Sequence, residues 1–273
     1  MMRHTLVLRA QPPLRVDARA LLPAALCTLG REEVLRLALP HGRERVPVGE
    51  WFDVQSEAAD DPRPQLRLEG ELARFDAIGA GMDTGSLEVR GPVGDSVGTG
   101  LSGGELRVQG SAGDLAGCAM RGGLLEVRGD VGDCAASALP GEIDGMTGGT
   151  LLVHGSAGAR LADRMRRGTV LVHGEAGDFL GARMVAGTIA IGGACGKHAG
   201  WAMRRGTLVF AGAAPPPPAT FVPVHSAFEV IWQLLARDLA RFGGRFAGLP
   251  ARDVTRWAGD LAVQGKGEWL VPR

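Results

Sequence analysis

Between Leu66 and Gly212 the chain repeats a 19-residue unit seven times, and a unit that short cannot bury a core by itself. The segment LEVRGPVGDSVGTGLSGG, Leu87 to Gly104, aligns column for column with LRVQGSAGDLAGCAMRGG, Leu106 to Gly123. The frame continues at Leu125, Leu151, Val170, Ile189 and Leu208. Two residues on, a second apolar column runs through Val89, Val108, Val127, Val153, Val172, Ile191 and Phe210. Every step is 19 residues except one of 26, where Ala135 to Asp144 holds a seven-residue bulge. Copies stacked on copies bury all of these columns together.

Apolar residues at i and i+2 mark a short strand with one face turned inward. Glycines close each strand at Gly91, Gly110, Gly129, Gly155, Gly174, Gly193 and Gly212, where turns need close backbone approach. Strands of successive units then pair in parallel about 4.8 Å apart, so seven units make a rod roughly 34 Å long. Crossover chirality makes the winding right-handed, and the 43 glycines exclude a helical solenoid. A third column, Met82, Leu101, Met120, Met146, Met165, Met184 and Met203, takes every methionine except Met1 and Met2. Thioethers bind soft metals, but a column in phase with leucine and valine reads as core filled by an adaptable side chain. A row of aspartates, Asp95, Asp114, Asp133 and Asp178, is broken at Ala159 and Lys197. One carboxylate per unit is too few for calcium, so these side chains are expected to cap turns by accepting backbone N–H groups.

The expected fold is therefore mainly β: a right-handed parallel β-helix of seven 19-residue repeats, with a small N-terminal cap and a C-terminal helix and tail. Residues 1–65 form the α/β cap, 66–212 the glycine-rich β-helix, and 213–273 a Pro linker, amphipathic helix and tail. Within the cap, Thr5–Leu8 and Val34–Leu37 read as strands, Ala18 to Leu26 as a short helix, and Ser56 to Pro64 as a loop. A cap is needed because an open end exposes unpaired strand edges. After Pro215 to Pro218, a stiff spacer, Ser226 to Glu229 reads as a capping box. Phe228, Ile231, Leu235, Leu239 and Phe242 keep helical spacing up to Gly243-Gly244. That helix either lies along the rod or docks on a partner.

The formal net charge of zero implies no global attraction to nucleic acid or an anionic membrane. No apolar run approaches a membrane span, and charged residues interrupt residues 1–30, so no leader is expected and the chain reads as cytoplasmic. The four cysteines, Cys27, Cys118, Cys134 and Cys195, lie far apart and read as buried free thiols. Catalytic and phosphate-loop signatures are missing, so neither a catalytic residue nor a metal ligand is assigned. His154 and His173 stack one repeat apart on the outer face, as a solvated or interface pair. Charge, however, is polarised along the rod. Eight basic residues face three acids between Gly155 and Gly206, whereas six acids face two arginines between Glu69 and Gly104. Arg164, Arg166, Arg167, Arg183, Arg204 and Arg205 form the candidate site, either a solvated face or a contact for something acidic.

The repeat G-x-[VA]-G-D-x-x-G-x-x-M followed by an LxV strand resembles the glycine-rich β-helix of the glutamate synthase C-terminal domain. More closely it resembles the C subunit of formylmethanofuran dehydrogenase, as do WFDV at Trp51 to Val54, Gly259-Asp260 and Gly265 to Glu268. The resemblance implies a non-catalytic subunit of a one-carbon complex. One such complex moves a formyl group from formyl-tetrahydromethanopterin to a methanofuran analogue and hydrolyses it to formate. The other is a tungsten or molybdenum enzyme that reduces CO2. With 28 Arg against 2 Lys the composition suggests a high-GC bacterium, which favours the formyltransferase/hydrolase. The implied partners are the other members of that complex: the metallohydrolase-like A subunit, the B subunit, and the formyltransferase D subunit. A methanofuran-type carrier and tetrahydromethanopterin serve the complex, and this chain holds no cofactor alone. Such carriers have glutamate-rich tails, so the arginine face would meet either that arm or an acidic patch on a partner. A glutamate-synthase-like domain protein remains an alternative, while a carbohydrate-active β-helix fits poorly because Trp201 is the only tryptophan in the repeats.

Overall fold

The columns read from the sequence are columns in space. The computed structural model describes residues 1–59, 61–225 and 228–273. It is mainly β with few helices, and among the described residues its large sheet does not close into a barrel. The central ladder is parallel and runs Gln65–Glu69, Ser86–Arg90, Glu105–Val108, Arg121–Val127, Gly148–Val153, Thr169–Val172, Thr188–Ile191 and Thr207–Phe210. Leu66, Leu87, Leu106, Leu125, Leu151, Val170, Ile189 and Leu208 face one another in succession. A second parallel column links Leu72, Val93, Ala112, Val131, Ala157, Ala176 and Cys195.

The methionine column is buried throughout, and its neighbours explain why methionine and glycine recur together. A Cβ added at Gly104, Gly168, Gly187 or Gly206 would lie 2.7–2.8 Å from the Cε of Met82, Met146, Met165 or Met184 respectively. Each methyl thus fills the space that the glycine of the next unit leaves free. Positive-φ turns are not confined to glycine. Ser96, Leu115, Cys134, Arg160, Phe179 and His198 occupy one repeat position with φ between 59° and 64°. The stack imposes the same left-handed bend on unrelated side chains, at a local cost that packing offsets.

The aspartates accept backbone N–H groups as expected, but from the next unit rather than from their own turn. Asp76 Oδ1 accepts from the N–H of Asp95 (2.8 Å), Asp95 from Asp114 (3.0 Å), Asp114 from Asp133 (2.8 Å) and Asp133 from Ala159 (2.7 Å). The row resumes where Asp178 accepts from Lys197 at 2.7 Å. These bonds tie unit to unit.

Both ends of the ladder are closed by strands from the flanks. Met2–Leu8 adds in parallel to Gln65–Glu69 and is covered by antiparallel Phe52–Ala58. At the other end Gly267–Pro272 adds in parallel to Thr207–Phe210, with Val254–Gly259 and then Val222–Val224 antiparallel beyond it. A four-stranded sheet of Glu44–Pro47, Ala38–His41, Val16–Asp17 and Phe75–Asp76 completes the N-terminal side.

Three local expectations are corrected. Val34–Leu37 is not a strand: Arg31–Arg36 is helical, because the Glu33 carboxylate accepts the Gly30 N–H at 2.7 Å and only Val34 needs burial. Of Ala18 to Leu26 only Pro23–Leu26 is helical, a single turn started by Pro23. The loop begins later than Ser56, because the strand paired with Met2–Leu8 continues to Ala58. The capping box involves Ser226, which lies outside the described residues.

The helix Glu229–Ala240 lies on the sheet. The outward position paired across the ladder reads Arg67, Glu88, Arg107 and Glu126, then changes to Leu152, Leu171, Ala190, Val209 and Leu270. Trp232, Ala236 and Leu239 of the helix, with Phe246 and Leu249 after it, bury that apolar half. Trp232 Nε1 donates to the Arg252 carbonyl at 2.7 Å, so its polar edge is satisfied. Left-handed Gly243 and Gly244 end the element.

Candidate functional site

The six arginines occupy three repeat positions near one corner of the stack. Arg164 and Arg183 are equivalent, one unit apart, and both are left-handed with φ of 59° and 55°. Earlier units place Gly81, Gly100 and Ala119 there with the same sign of φ. Arg166 and Arg204 are equivalent with Val185 between them, and Arg167 and Arg205 with Ala186 between them. The two arginine pairs therefore sit two strand spacings apart, about 10 Å. A groove of about 590 Å³ runs between them, floored by Val185 and Ala186 and reaching Thr147.

The structure divides the six into two kinds. Arg183 hydrogen-bonds buried Asp163, which raises its guanidinium pKa further. Arg166 pairs with Asp144 at 3.1 Å, and Arg164 donates to the Glu142 carbonyl at 3.0 Å. Among the described residues Arg167, Arg204 and Arg205 have no acidic partner and are exposed. The separation between the pairs is close to the physiological screening length of about 8 Å, so their mutual repulsion is mild and the fold tolerates it. At the opposite end four of the six acids are matched: Arg15 bridges Asp76 and Asp95, and Arg90 bridges Glu69 and Glu88, whereas Glu71 and Asp83 are exposed without a basic partner among the described residues. Unpaired charge of the sequence polarity thus remains at both ends, as Glu71 and Asp83 at one and Arg167, Arg204 and Arg205 at the other.

The seven-residue bulge, given no role from sequence, supplies a wall of the site. Ile143 and Asp144 line a neighbouring groove of about 400 Å³ together with Arg166, Val185, Arg204 and Val263. Ile143 is 80% exposed, an unusual state for isoleucine, and Val263 and Leu261 are exposed as well. The interruption in the 19-residue period was the signal that this unit carries something extra; the contribution of Val263 had none.

Other groups with chemical potential have structural employment. His154 and His173 stack with ring centroids 5.2 Å apart, but the pair is not simply solvated. His154 Nε2 lies 2.9 Å from Glu126 Oε1, and Phe246 covers the far side of His173 at 4.9 Å. Burial, with His154 adding to it, lowers the His173 pKa below 6.5. His4 is fully engaged, with its ring nitrogens at Ser56 Oγ (2.8 Å) and the Leu26 carbonyl (3.0 Å). Cys27 and Cys118 are buried as expected, whereas Cys134 and Cys195 are partly accessible. Burial pushes the Cys118 and Cys195 thiols up to about 11, away from nucleophilic chemistry. Among the described residues no group of three or more His, Cys, Asp or Glu is placed to hold a metal ion, and no helix is long and apolar enough to cross a membrane.

Comparison with known proteins places this architecture. The GXGXG motif family matches residues 67–214, more than half of the chain. The C subunit of the formyltransferase/hydrolase complex Fhc from Methylorubrum extorquens is 42% identical over 90 residues, 33% of this chain and 32% of that protein. The C subunit of the tungsten-containing formylmethanofuran dehydrogenase 2 of Methanothermobacter wolfeii is 35% identical over 86 residues, 31% of this chain and 32% of that one. The aligned segments span about a third of the length of each of these relatives. A chain in the crystal structure of the FhcABCD complex from Methylorubrum extorquens, determined with methylofuran, superposes with a TM-score of 0.89. It is 41% identical, and the match covers 98% of this chain and 99% of that one. The chain described here belongs to the GXGXG motif family and, within it, to the proteins like the C subunit of formylmethanofuran dehydrogenase.

Proposed function

We propose that this chain is a non-catalytic structural subunit of a formyltransferase/hydrolase complex of one-carbon metabolism, working in the cytoplasm. The observation that carries the reading is the end-to-end likeness to a chain of the FhcABCD structure at 41% identity. On this reading the complex passes a formyl group from formyl-tetrahydromethanopterin to a methanofuran analogue and hydrolyses it to formate. The chemistry belongs to its other members, the metallohydrolase-like A subunit, the B subunit, and the formyltransferase D subunit. The methylofuran in the related complex supports a carrier of that class. A scaffold role fits the employment of the side chains: the aspartates bind backbone across units, Glu126 holds His154, and burial raises the thiols of Cys118 and Cys195 to about 11 and that of Cys134 above its ordinary value.

The same reading takes the ladder as a right-handed parallel β-helix of seven units over 66–212, capped by 1–65 and by the linker, helix and tail of 213–273. The two parallel columns per unit support it, since two walls joined through repeated left-handed bends must wind. A second reading, the C subunit of a tungsten or molybdenum dehydrogenase, has the Methanothermobacter wolfeii likeness in its favour. Co-expression with the other subunits from the same organism separates the two. The expected complex carries formyltransfer and hydrolysis activity without tungsten or molybdenum, and the isolated chain turns nothing over. Formyl hydrolysis by the pure chain alone overturns the scaffold reading, and a molybdenum- or tungsten-loaded complex that reduces CO2 decides for the second.

A further inference from the structure

Three parts of the chain that are remote in sequence meet at the arginine corner. The repeats bring Arg167, Arg204 and Arg205, which have no acidic partner among the described residues. The bulge brings Ile143, and the turn Leu261–Val263 brings Val263; both are exposed and line a groove with Arg204, which also lines the adjoining groove with Arg167 and Arg205. Guanidinium groups alone would describe an anion site. Exposed aliphatic side chains interleaved with them describe something else, because an aliphatic side chain gains nothing from a hydrated anion and loses water only against another apolar surface. Arginine set among apolar anchors is the composition of the buried centre of protein interfaces.

We propose that this composite corner, Ile143, Arg167, Arg204, Arg205 and Val263, docks an acidic segment of another protein of the complex. The inference rests on the proposed function and adds to it where that partner is held. The occupant is argued from charge and shape together. Two arginine pairs about 10 Å apart, with a Val185–Ala186 floor between them, suit an extended strand, whose same-face carboxylates recur about every 7 Å. Each guanidinium fork can take a carboxylate bidentately. The apolar residue of such a segment rests against Ile143 and Val263. The bulge is thereby explained: it lifts an isoleucine out of the regular stack to where a partner can cover it.

The test uses the full chain co-expressed with tagged partner subunits. Arg167→Gln/Arg204→Gln/Arg205→Gln removes the charge, and Ile143→Asp adds an acid while leaving every arginine in place. Arg43→Gln, on an exposed N-terminal turn, is the control. Circular dichroism melts confirm that each variant folds like the wild type. The expected result is at least a tenfold drop in recovery of this chain with the tagged subunits for both the triple variant and Ile143→Asp, with the control unchanged. Recovery of wild-type complex should also fall between 0.1 and 0.5 M salt, roughly as charge screening predicts. Two outcomes overturn the proposal while leaving the proposed function standing. In one, the complex is intact with both variants. In the other, assembly is normal but the KM for the carrier is raised in the triple variant alone, which assigns the corner to the carrier's acidic arm. A wild-type chain that fails to assemble at all overturns the functional reading, and this proposal with it.

Discussion

Gly187→Ala, alone and with Met165→Ala, measures whether methionine and glycine are complementary across units. A Cβ at Gly187 would meet Met165 Cε at 2.8 Å and the Gly168 carbonyl oxygen at 3.0 Å, in a backbone with φ of +110°. Holding an L side chain there costs about 1–3 kcal/mol, and overpacking adds about 1–3 kcal/mol. Gly81→Ala sets a lower bound on the first part, because nothing lies within 4 Å of its added Cβ and its φ of +71° is closer to the left-handed well than the +110° of Gly187. Alanine already occupies the equivalent position at Ala119 and Ala202 with φ of 53° and 55°, so Gly81→Ala should cost about 1 kcal/mol. Met165→Ala leaves a cavity worth about 2–5 kcal/mol. In the double variant the clashing methyl is gone and the new Cβ partly refills the cavity. The pair should therefore cost about 1–3 kcal/mol less than the sum of its parts. Urea unfolding followed by circular dichroism reads all four variants against a total stability of about 5–15 kcal/mol. Additivity within about 0.5 kcal/mol would mean that the methionine methyl does not occupy the glycine space, and the account of the column fails.

Two further perturbations address the joints between units and the C-terminal layer. Ala159→Asn restores an acceptor where the aspartate row breaks, opposite the N–H of Asp178, and does so without adding a charge to the row. It should raise stability by about 0.5–1.5 kcal/mol, seen as a higher urea midpoint with unchanged slope; an unchanged or lower midpoint counts against cross-unit capping. For His173, burial and His154 hold the folded pKa below 6.5, while the unfolded imidazole titrates normally. The unfolded state therefore binds the proton first, and stability is full above about pH 6.5 and falls as pH drops from there toward the lower folded value. The groups facing the ring are His154, with Glu126 behind it, Phe246 and the backbone of Phe242. Melting temperature measured from pH 7.5 to 5 should fall more steeply for wild type than for His173→Leu, and parallel curves would remove His173 from the account.

The inward-facing chemistry was legible because the stack is strict. When Leu87 faces Leu106 and Val89 faces Val108, any drift in register turns a whole column outward. The register therefore had to be written into the residues and could be read back from them. The flanks carry no such constraint. Val34–Leu37 is an apolar run broken only by Arg36, which suits a short strand, yet a Glu33 carboxylate reaching back to the Gly30 N–H decided for helix. A short apolar run over four residues is weaker than one cap satisfied in place. The candidate site was legible only in part for a related reason. Six arginines marked the corner, but charge in sequence does not say which guanidinium is already answered, and Asp163 and Asp144 answer two of them.

The outward position of the strands held a signal of the same strength as the inward columns. Arg67, Glu88, Arg107 and Glu126 alternate in sign, so each lies against an opposite charge one strand away; Arg67 and Glu88 are 2.9 Å apart. That half of the face is finished by its own ion pairs and needs no cover. From Leu152 onward the position is apolar through Leu171, Ala190, Val209 and Leu270, and such a stripe on one side of a sheet must be buried by something. The change falls between Glu126 and Leu152, across the bulge. It fixes where Trp232, Ala236 and Leu239 can land, and it makes docking of the helix on its own sheet a consequence of the repeats rather than a choice left to the linker. The bulge therefore stands at a boundary in the stack. Before it the outer face is closed by ion pairs. Beyond it one outward face is closed by the helix, while Arg167, Arg204 and Arg205 at the arginine corner have no acidic partner among the described residues.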